Sequence, residues 1–154
     1  MPAEYPGEAD TAGCAVMIIN APLRLTDKWG SGAYQSSRGG RTHNGIDVAC
    51  YKGSGVLSVS DGFITKIGYP HDPSHPTKGH LRYVQVTDDG GCNARYFYVQ
   101  PLVAVGDKIN QGDLLGVTQG LDKIYPGITD HYHFEVKRPS GRFMDPALYL
   151  TQIE

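Results

Sequence analysis

Apolar residues along this chain recur in short alternating runs that are bounded by glycine and proline, and long helical periodicity is absent. Short strands are predicted in the runs GVLSVSD, GFITKIGYP, DKINQGDLLGVTQ and HYHFEVKRPSG. The segment LRYVQVTDDGGCNARYFYV predicts two further strands joined by a turn at Asp88 to Gly91. Helix is restricted to a turn near DPALYL. The chain is therefore predicted to be mainly β.

Two stretches do not fit a strand or a packed helix. The segment from Tyr69 to Gly79 contains three prolines and is predicted to be an exposed loop. Residues 1–13 have little to bury and are expected to form a flexible N-terminal segment. At 154 residues the chain suits one domain, so a single domain is expected over residues 14–154.

Composition excludes two classes of partner. The formal net charge is -2 with 19% charged residues, and no basic stripe is present that would neutralise a phosphate backbone, so nucleic acid is not expected. No apolar run reaches the roughly eighteen residues of a membrane span. The apolar run CAVMIINAPL is too short for a span and lacks the basic front of a secretory signal.

Four side chains with metal-ligand chemistry fall in two short blocks, namely His43 and Asp47 in THNGIDV and His131 and His133 in HYHFEV. Residues two apart on a strand leave the same face, so both imidazoles of HYH share one face while the intervening tyrosine faces the core. Two histidines at this spacing also occur by chance, so the prediction of a metal site rests on the two blocks taken together. Three ligands with one imidazole to spare are typical of catalytic zinc, which activates water for hydrolysis.

Several blocks in fixed order resemble the lysostaphin-type zinc endopeptidases, which cut peptidoglycan cross-bridges or stem peptides. The blocks are THNGID, GSGVLSVSDG, VGDKINQGDLLGVT, HYHFEV and DPALYL. The resemblance implies a single compact antiparallel β-sheet domain of the lysostaphin, or duplicated-hybrid, type with a groove between loops. It also implies that His43, Asp47 and His133 bind one Zn2+ ion and that His131 is catalytic.

One position departs from that family. Its members usually carry another histidine in a Tyr-x-His-Leu block, where this sequence reads ARYFYVQPL and has Tyr98. A phenol can donate a hydrogen bond to an oxyanion, but with an ordinary pKa of about 10 it is a poor base near neutral pH. We therefore assign Tyr98 to oxyanion stabilisation and His131 to proton transfer.

The chain is also similar to the leukocyte cell-derived chemotaxin family of secreted, zinc-binding signalling proteins. The similarity lies in AYQSSRGGRTHNGIDVAC, CNARYFYVQPL, IYPGITDHYHFE and DPALYL, and the tyrosine at position 98 belongs to that pattern. It implies a disulfide between Cys14 and Cys50 with Cys92 free, and therefore an oxidising compartment. Three reduced cysteines in a cytosolic protein are the alternative.

Arg38, Arg41 and Tyr34 are further candidates for substrate binding. The two arginines match both families and suit a substrate carboxylate, although ordinary surface arginines have the same appearance in a sequence. Tyr34 is a candidate for one wall of the cleft, with packing at a strand edge as the alternative.

Three histidines lie in or beside the proline-rich loop, at His71, His75 and His80. They are candidates for a second metal site, and solvent-exposed loop histidines are the alternative. We place Glu135 on the opposite face of its strand from His133, away from the metal.

Together these features predict a zinc-dependent endopeptidase that hydrolyses a peptide bond in peptidoglycan, acting as a monomer in a secreted or periplasmic setting. An antibacterial toxin delivered directly into a rival cell fits the predicted disulfide, and such a toxin would have an immunity protein or inhibitor as partner. The alternative is a non-catalytic zinc protein, either an extracellular signal or a wall-binding module.

Overall fold

A computed structural model of the chain describes residues 15–16, 45–128 and 130–153. The strands are β1 (Ala15–Val16), β2 (Ile46–Ala49), β3 (Gly55–Leu57), β4 (Gly62–Gly68), β5 (Tyr83–Thr87), β6 (Asn93–Phe97), β7 (Val99–Pro101), β8 (Lys108–Ile109), β9 (Leu114–Thr118), β10 (His131–Lys137) and β11 (Phe143–Met144). The helix α1 spans Pro146–Ile153. The predicted mainly β fold is confirmed, and the turn expected near DPALYL belongs to an eight-residue helix.

Within the described ranges the strands form two sheets. The larger sheet has the order β11-β10-β6-β5-β4-β8, with β2 also paired to β10, and its pairs are antiparallel. The smaller sheet has the order β1-β3-β9-β7, in which β1 and β3 are parallel. The antiparallel β domain implied by the resemblance is therefore confirmed, with its strands divided between two sheets.

One hydrophobic cluster contains side chains from both sheets. Three of its aromatic rings come from β6 and β10, where Tyr96 lies 5.0 Å from Phe134 and 6.4 Å from Tyr132 between ring centroids. The Tyr96 hydroxyl also accepts a hydrogen bond of 3.0 Å from the backbone N–H of Val59, which follows β3. This bond ties the larger sheet to the smaller one inside the core.

The connections agree with the turn chemistry of the sequence. Strands β5 and β6 form the predicted hairpin, whose turn is closed by the Gly91 N–H donating to the Asp88 carbonyl at 3.0 Å. Gly91 has a φ of 86°, a left-handed conformation that glycine adopts without steric cost. The proline-rich segment from Tyr69 to Gly79 consists of turns and is largely exposed, as predicted.

The pairing of β2 with β10 positions the candidate site. Asp47 lies directly opposite His133 in this antiparallel pair. The approach is close at Gly45, where a Cβ atom would meet the carbonyl oxygen of Phe134. Only glycine allows β2 to enter the sheet beside β10 at this distance, which gives the glycine of THNGID a steric role.

The predicted flexible segment over residues 1–13 lies outside the described residues. The single domain expected over residues 14–154 stays a prediction, since much of its N-terminal part lies outside them as well. In the part of the chain that the structure describes, no helix has the length and apolar character needed to cross a membrane.

Candidate metal centre

A buried carboxylate lies between two imidazoles where β2 meets β10. His133 Nδ1 is 3.0 Å from Asp47 Oδ1, and His131 Nε2 is 3.5 Å from Asp47 Oδ2. Asp47 and His131 are only 2% and 3% exposed, so both groups are largely withdrawn from water. The structure thus brings together three of the four predicted side chains across 84 to 86 positions of sequence, as the numbers 47, 131 and 133 show.

The alternation along β10 agrees with the sequence for its core side. Tyr132 and Phe134 are fully buried in the core cluster, while the two histidines point from the other face toward Asp47. The placement of Glu135 opposite to His133 is wrong. Residues two apart on a strand share a face, and Glu135 Oε1 lies 3.0 Å from His133 Nε2.

Glu135 connects the site to a polar network on the larger sheet. Its Oε2 atom lies 3.5 Å from Nη1 of Arg95 on β6. The Nε–H of Arg95 donates to Gln85 Oε1 on β5 at 2.8 Å, so the guanidinium group is held from two sides. Spacing within HFE was sufficient to predict the side of Glu135, whereas the roles of Arg95 and Gln85 depend on strand pairing.

The two carboxylates control the charge of His133. Burial lowers the pKa of this ring, but hydrogen bonds and charges from Asp47 and Glu135 outweigh burial and raise the pKa to about 9. The ring is therefore protonated at neutral pH in the protein alone, with Nδ1–H directed to Asp47 and Nε2–H to Glu135. A metal ion bound at Nδ1 would replace the hydrogen on that nitrogen. The hydrogen on Nε2 would stay on the ring and continue to donate to Glu135.

The donor set fits the zinc ion that the sequence predicts. An imidazole nitrogen and a carboxylate oxygen are ordinary zinc ligands, and here they converge on one point from paired strands. The third predicted ligand, His43, lies outside the described residues. Within those residues, no group of three His, Cys, Asp or Glu side chains is placed to hold a metal. Asp47 and His133 would hold the ion together with His43.

Tyr98 lies beside the candidate general base. Its ring meets that of His131 edge-on, with centroids 5.7 Å apart and planes at 85°. Tyr98 links β6 to β7 with a φ of 69°, the one non-glycine residue with positive φ in the described ranges. Its N–H donates to the Arg82 carbonyl at 2.7 Å, and its carbonyl accepts the Gln119 N–H at 2.8 Å. Two backbone bonds thus fix the unusual conformation.

Gln119 also holds the chain that supports Tyr98. Its buried side chain accepts the Arg82 N–H through Oε1 at 2.9 Å and donates to the His80 carbonyl through Nε2 at 2.8 Å. Sequence reasoning missed this residue, since a glutamine at the end of a strand carries no distinctive signal. Its role becomes visible only when residues 80–82 are brought beside the end of β9.

The remaining predicted residues have different outcomes. Outside the described residues lie Arg38, Arg41, Tyr34 and Cys14. Cys50 is buried and has no disulfide partner among the described residues, and burial raises the pKa of its thiol to about 12. The bridge between Cys14 and Cys50 therefore stays a prediction. Cys92 is also free, as expected.

The loop histidines behave as surface groups. His75 and His80 are exposed, and the structure places no metal-binding cluster among them in the described part of the chain. His75 Nδ1 instead accepts backbone hydrogen bonds from Thr77 and Lys78 at 3.2 and 3.0 Å. These contacts favour the loop interpretation over a second metal site.

Comparison with known proteins settles the family. Residues 41–146, which include His43, Asp47, Tyr98, His131 and His133, match the sequence profile of Peptidase family M23. The chain belongs to this family. M23 domains have a metallopeptidase fold and are generally zinc-dependent, in agreement with the donor set described above.

Individual relatives of this M23 domain come from two groups. Leukocyte cell-derived chemotaxin-2 of Mus musculus is 34% identical over 137 residues, covering 89% of this chain and 84% of the mouse protein. The Bos taurus protein of the same name is 32% identical over 128 residues, covering 83% and 79%. The catalytic domain of lysostaphin from Staphylococcus simulans superposes with a TM-score of 0.61 at 22% identity, covering 87% of this chain and 95% of that domain. That last similarity supports the fold.

Proposed function

We propose that this M23 domain is a zinc-dependent endopeptidase that hydrolyses a peptide bond of bacterial peptidoglycan. The observation that carries the proposal is the Asp47 carboxylate held between the imidazoles of His131 and His133 on paired strands. With His43, Asp47 and His133 as the three zinc ligands, the imidazole of His131 is left over as a base. A spare base beside a metal is what hydrolysis requires, whereas a structural ion needs none.

Each side chain has a distinct role in this mechanism. Zinc, when bound, would polarise the scissile carbonyl and activate the attacking water. His131, oriented by its contact with Asp47, accepts the proton of that water and passes it to the leaving amine. Tyr98, beside His131, donates its hydroxyl hydrogen to the developing oxyanion. Glu135 fixes the ring of His133 through its other nitrogen.

A second candidate function is a non-catalytic zinc protein that acts as an extracellular signal or binds cell wall. It is favoured by the tyrosine at position 98, where lysostaphin-type enzymes usually carry a histidine, and by the similarity to chemotaxin-2. Both candidates place the protein in a secreted or periplasmic setting. They differ in whether His131 and Tyr98 support turnover.

Digestion of purified peptidoglycan separates the two candidates. Zinc-loaded protein is incubated with walls that differ in their cross-bridges, and new amine ends are identified by mass spectrometry. We expect release that is lost with a chelator and in His131→Ala, and reduced by about 100-fold or more in Tyr98→Phe. The matched control is His71→Ala in the exposed loop, which is expected to retain activity.

Two results would contradict the proposal in different ways. Absence of release from every wall, despite bound zinc, would favour the non-catalytic protein. Full release by His131→Ala would leave the peptidase proposal standing and contradict the role assigned to His131. An antibacterial role, an immunity protein or inhibitor as partner, and a monomeric state are further parts of the proposal, which size-exclusion chromatography and co-purification can test.

A further inference from the structure

A surface groove of about 480 Å³ lies beside the connection between β4 and β5. Its walls include the aromatic ring of Tyr69, the imidazoles of His75 and His80, the guanidinium of Arg82 and the side chain of Gln100. No aspartate or glutamate is among the described residues that line it. The groove is therefore polar and basic in character.

Arg82 is the group in this groove that is prepared for a ligand. Its guanidinium carbon lies 4.2 Å from the centroid of the Tyr69 ring, a cation–π contact that holds the guanidinium over the ring. Its Nε atom is buried and has no hydrogen-bond partner among the described residues. The planar guanidinium as a whole matches a carboxylate, which can accept two parallel hydrogen bonds from it.

The rest of the groove adds a hydrogen-bond donor and no carboxylate among the described lining residues. Because His75 Nδ1 accepts two backbone N–H bonds, the hydrogen of the neutral ring resides on Nε2, which makes that nitrogen a donor. The carboxylate of Asp72 is engaged by the backbone N–H and hydroxyl of Ser74 at 2.9 and 2.8 Å. The Asp72 carboxylate is therefore hydrogen-bonded within its own turn.

The groove is joined to the candidate centre through the backbone. The Arg82 carbonyl accepts the N–H of Tyr98 at 2.7 Å, and the Tyr98 ring contacts His131. Gln100, two residues beyond Tyr98, lines the groove. Residues 98–100 therefore connect the candidate centre to the groove along the chain.

We propose that the groove is a specificity subsite in which Arg82, held over the Tyr69 ring, binds the free C-terminal carboxylate of a stem peptide. This inference rests on the proposed peptidase function and names the substrate class, a peptide with a free carboxylate close to the bond that is cut. Arg82 binds the substrate and takes no part in proton transfer.

The test compares two peptides that differ by one charge. The stem pentapeptide L-Ala-D-isoglutamine-L-Lys-D-Ala-D-Ala and its C-terminal amide are titrated by NMR into zinc-loaded full-length protein carrying His131→Ala, which prevents turnover. We expect the acid to bind about tenfold or more tightly than the amide, with shifts at residues 69–82. Arg82→Gln should abolish this preference, and Arg82→Lys should retain part of it.

Arg142→Gln is the matched control, because it removes one arginine charge at an exposed position in the turn before β11 and should keep the preference. Amide spectra of each variant establish that it is folded. Equal binding of acid and amide, or a preference that survives Arg82→Gln, would overturn the subsite. Peptidoglycan digestion is measured separately, so release without a carboxylate preference would refute the subsite alone, and preference without release would refute the peptidase alone.

Discussion

Tyr98 combines an unusual backbone conformation with a position beside His131. A tyrosine at a φ of 69° is strained, at a cost of about 1 to 3 kcal/mol for such residues. Backbone bonds to Arg82 and Gln119 on either side hold the residue in place. Strain of this kind persists where the surrounding structure fixes a group for use, which agrees with the role assigned to the phenol.

Glu135 offers a test of how the ligand ring is held. Glu135→Gln removes the carboxylate that accepts the His133 Nε2–H, and we expect zinc affinity to fall by about 10- to 100-fold. Competition with a fluorescent chelator measures this affinity. The matched control is Asp89→Asn, which removes one carboxylate charge at an exposed position in the turn between β5 and β6 and should leave zinc affinity unchanged. Equal affinities for both variants would show that Glu135 does not support the ligand.

At the scale of elements, the site depends on the entry of β2 beside β10. Gly45→Ala would drive a methyl group into the carbonyl oxygen of Phe134, so β2 must move and carry Asp47 away from His133. We expect a loss of unfolding free energy of about 1 to 3 kcal/mol and weaker zinc binding.

Urea denaturation of chelator-treated protein and a zinc titration measure the two effects of Gly45→Ala. Gly90→Ala is the matched control, because its added methyl would meet only the Asp88 side chain at 3.5 Å. If both variants have the same stability and the same zinc affinity, the close approach of β2 to β10 is not a constraint on the site.

The same scale shows how much of the structure was predictable. Strand β10 and the hairpin of β5 and β6 were predicted, because period-two alternation and turn residues are local signals. The meeting of Asp47 and His133 was predicted because histidine and aspartate are ordinary zinc ligands, while their role as ligands stays a prediction. Arg82, Gln119 and Arg95 were missed, since their partners lie 10 to 40 positions away in sequence and become neighbours only through pairing of strands and loops.

At the scale of the whole molecule, two tyrosines in one core have opposite hydrogen-bonding states. The hydroxyl of Tyr96 joins the sheets by accepting the Val59 N–H, whereas the hydroxyl of Tyr132 has no partner among the described residues. Both side chains are fully buried, so the same substitution can be compared in the same environment.

Replacing each tyrosine with phenylalanine tests this difference. Tyr96→Phe leaves a buried N–H unpaired and should lower the unfolding free energy by about 1 to 3 kcal/mol. Tyr132→Phe removes a buried hydroxyl without a partner and should be neutral or stabilising. The shift in the midpoint of urea denaturation measures both changes, provided that the dependence of the unfolding free energy on urea concentration is unchanged. A larger loss in Tyr132→Phe than in Tyr96→Phe would contradict the link between the sheets.

The exposed connection between β4 and β5 lies between the two sequence blocks that supply the centre. A break in this loop would leave Asp47 on one fragment and His133 on the other, and neither fragment would carry a complete donor pair. Metal affinity would then require reassembly of the two pieces. Metal binding by a chain cleaved in this loop would therefore measure whether its two fragments reassociate.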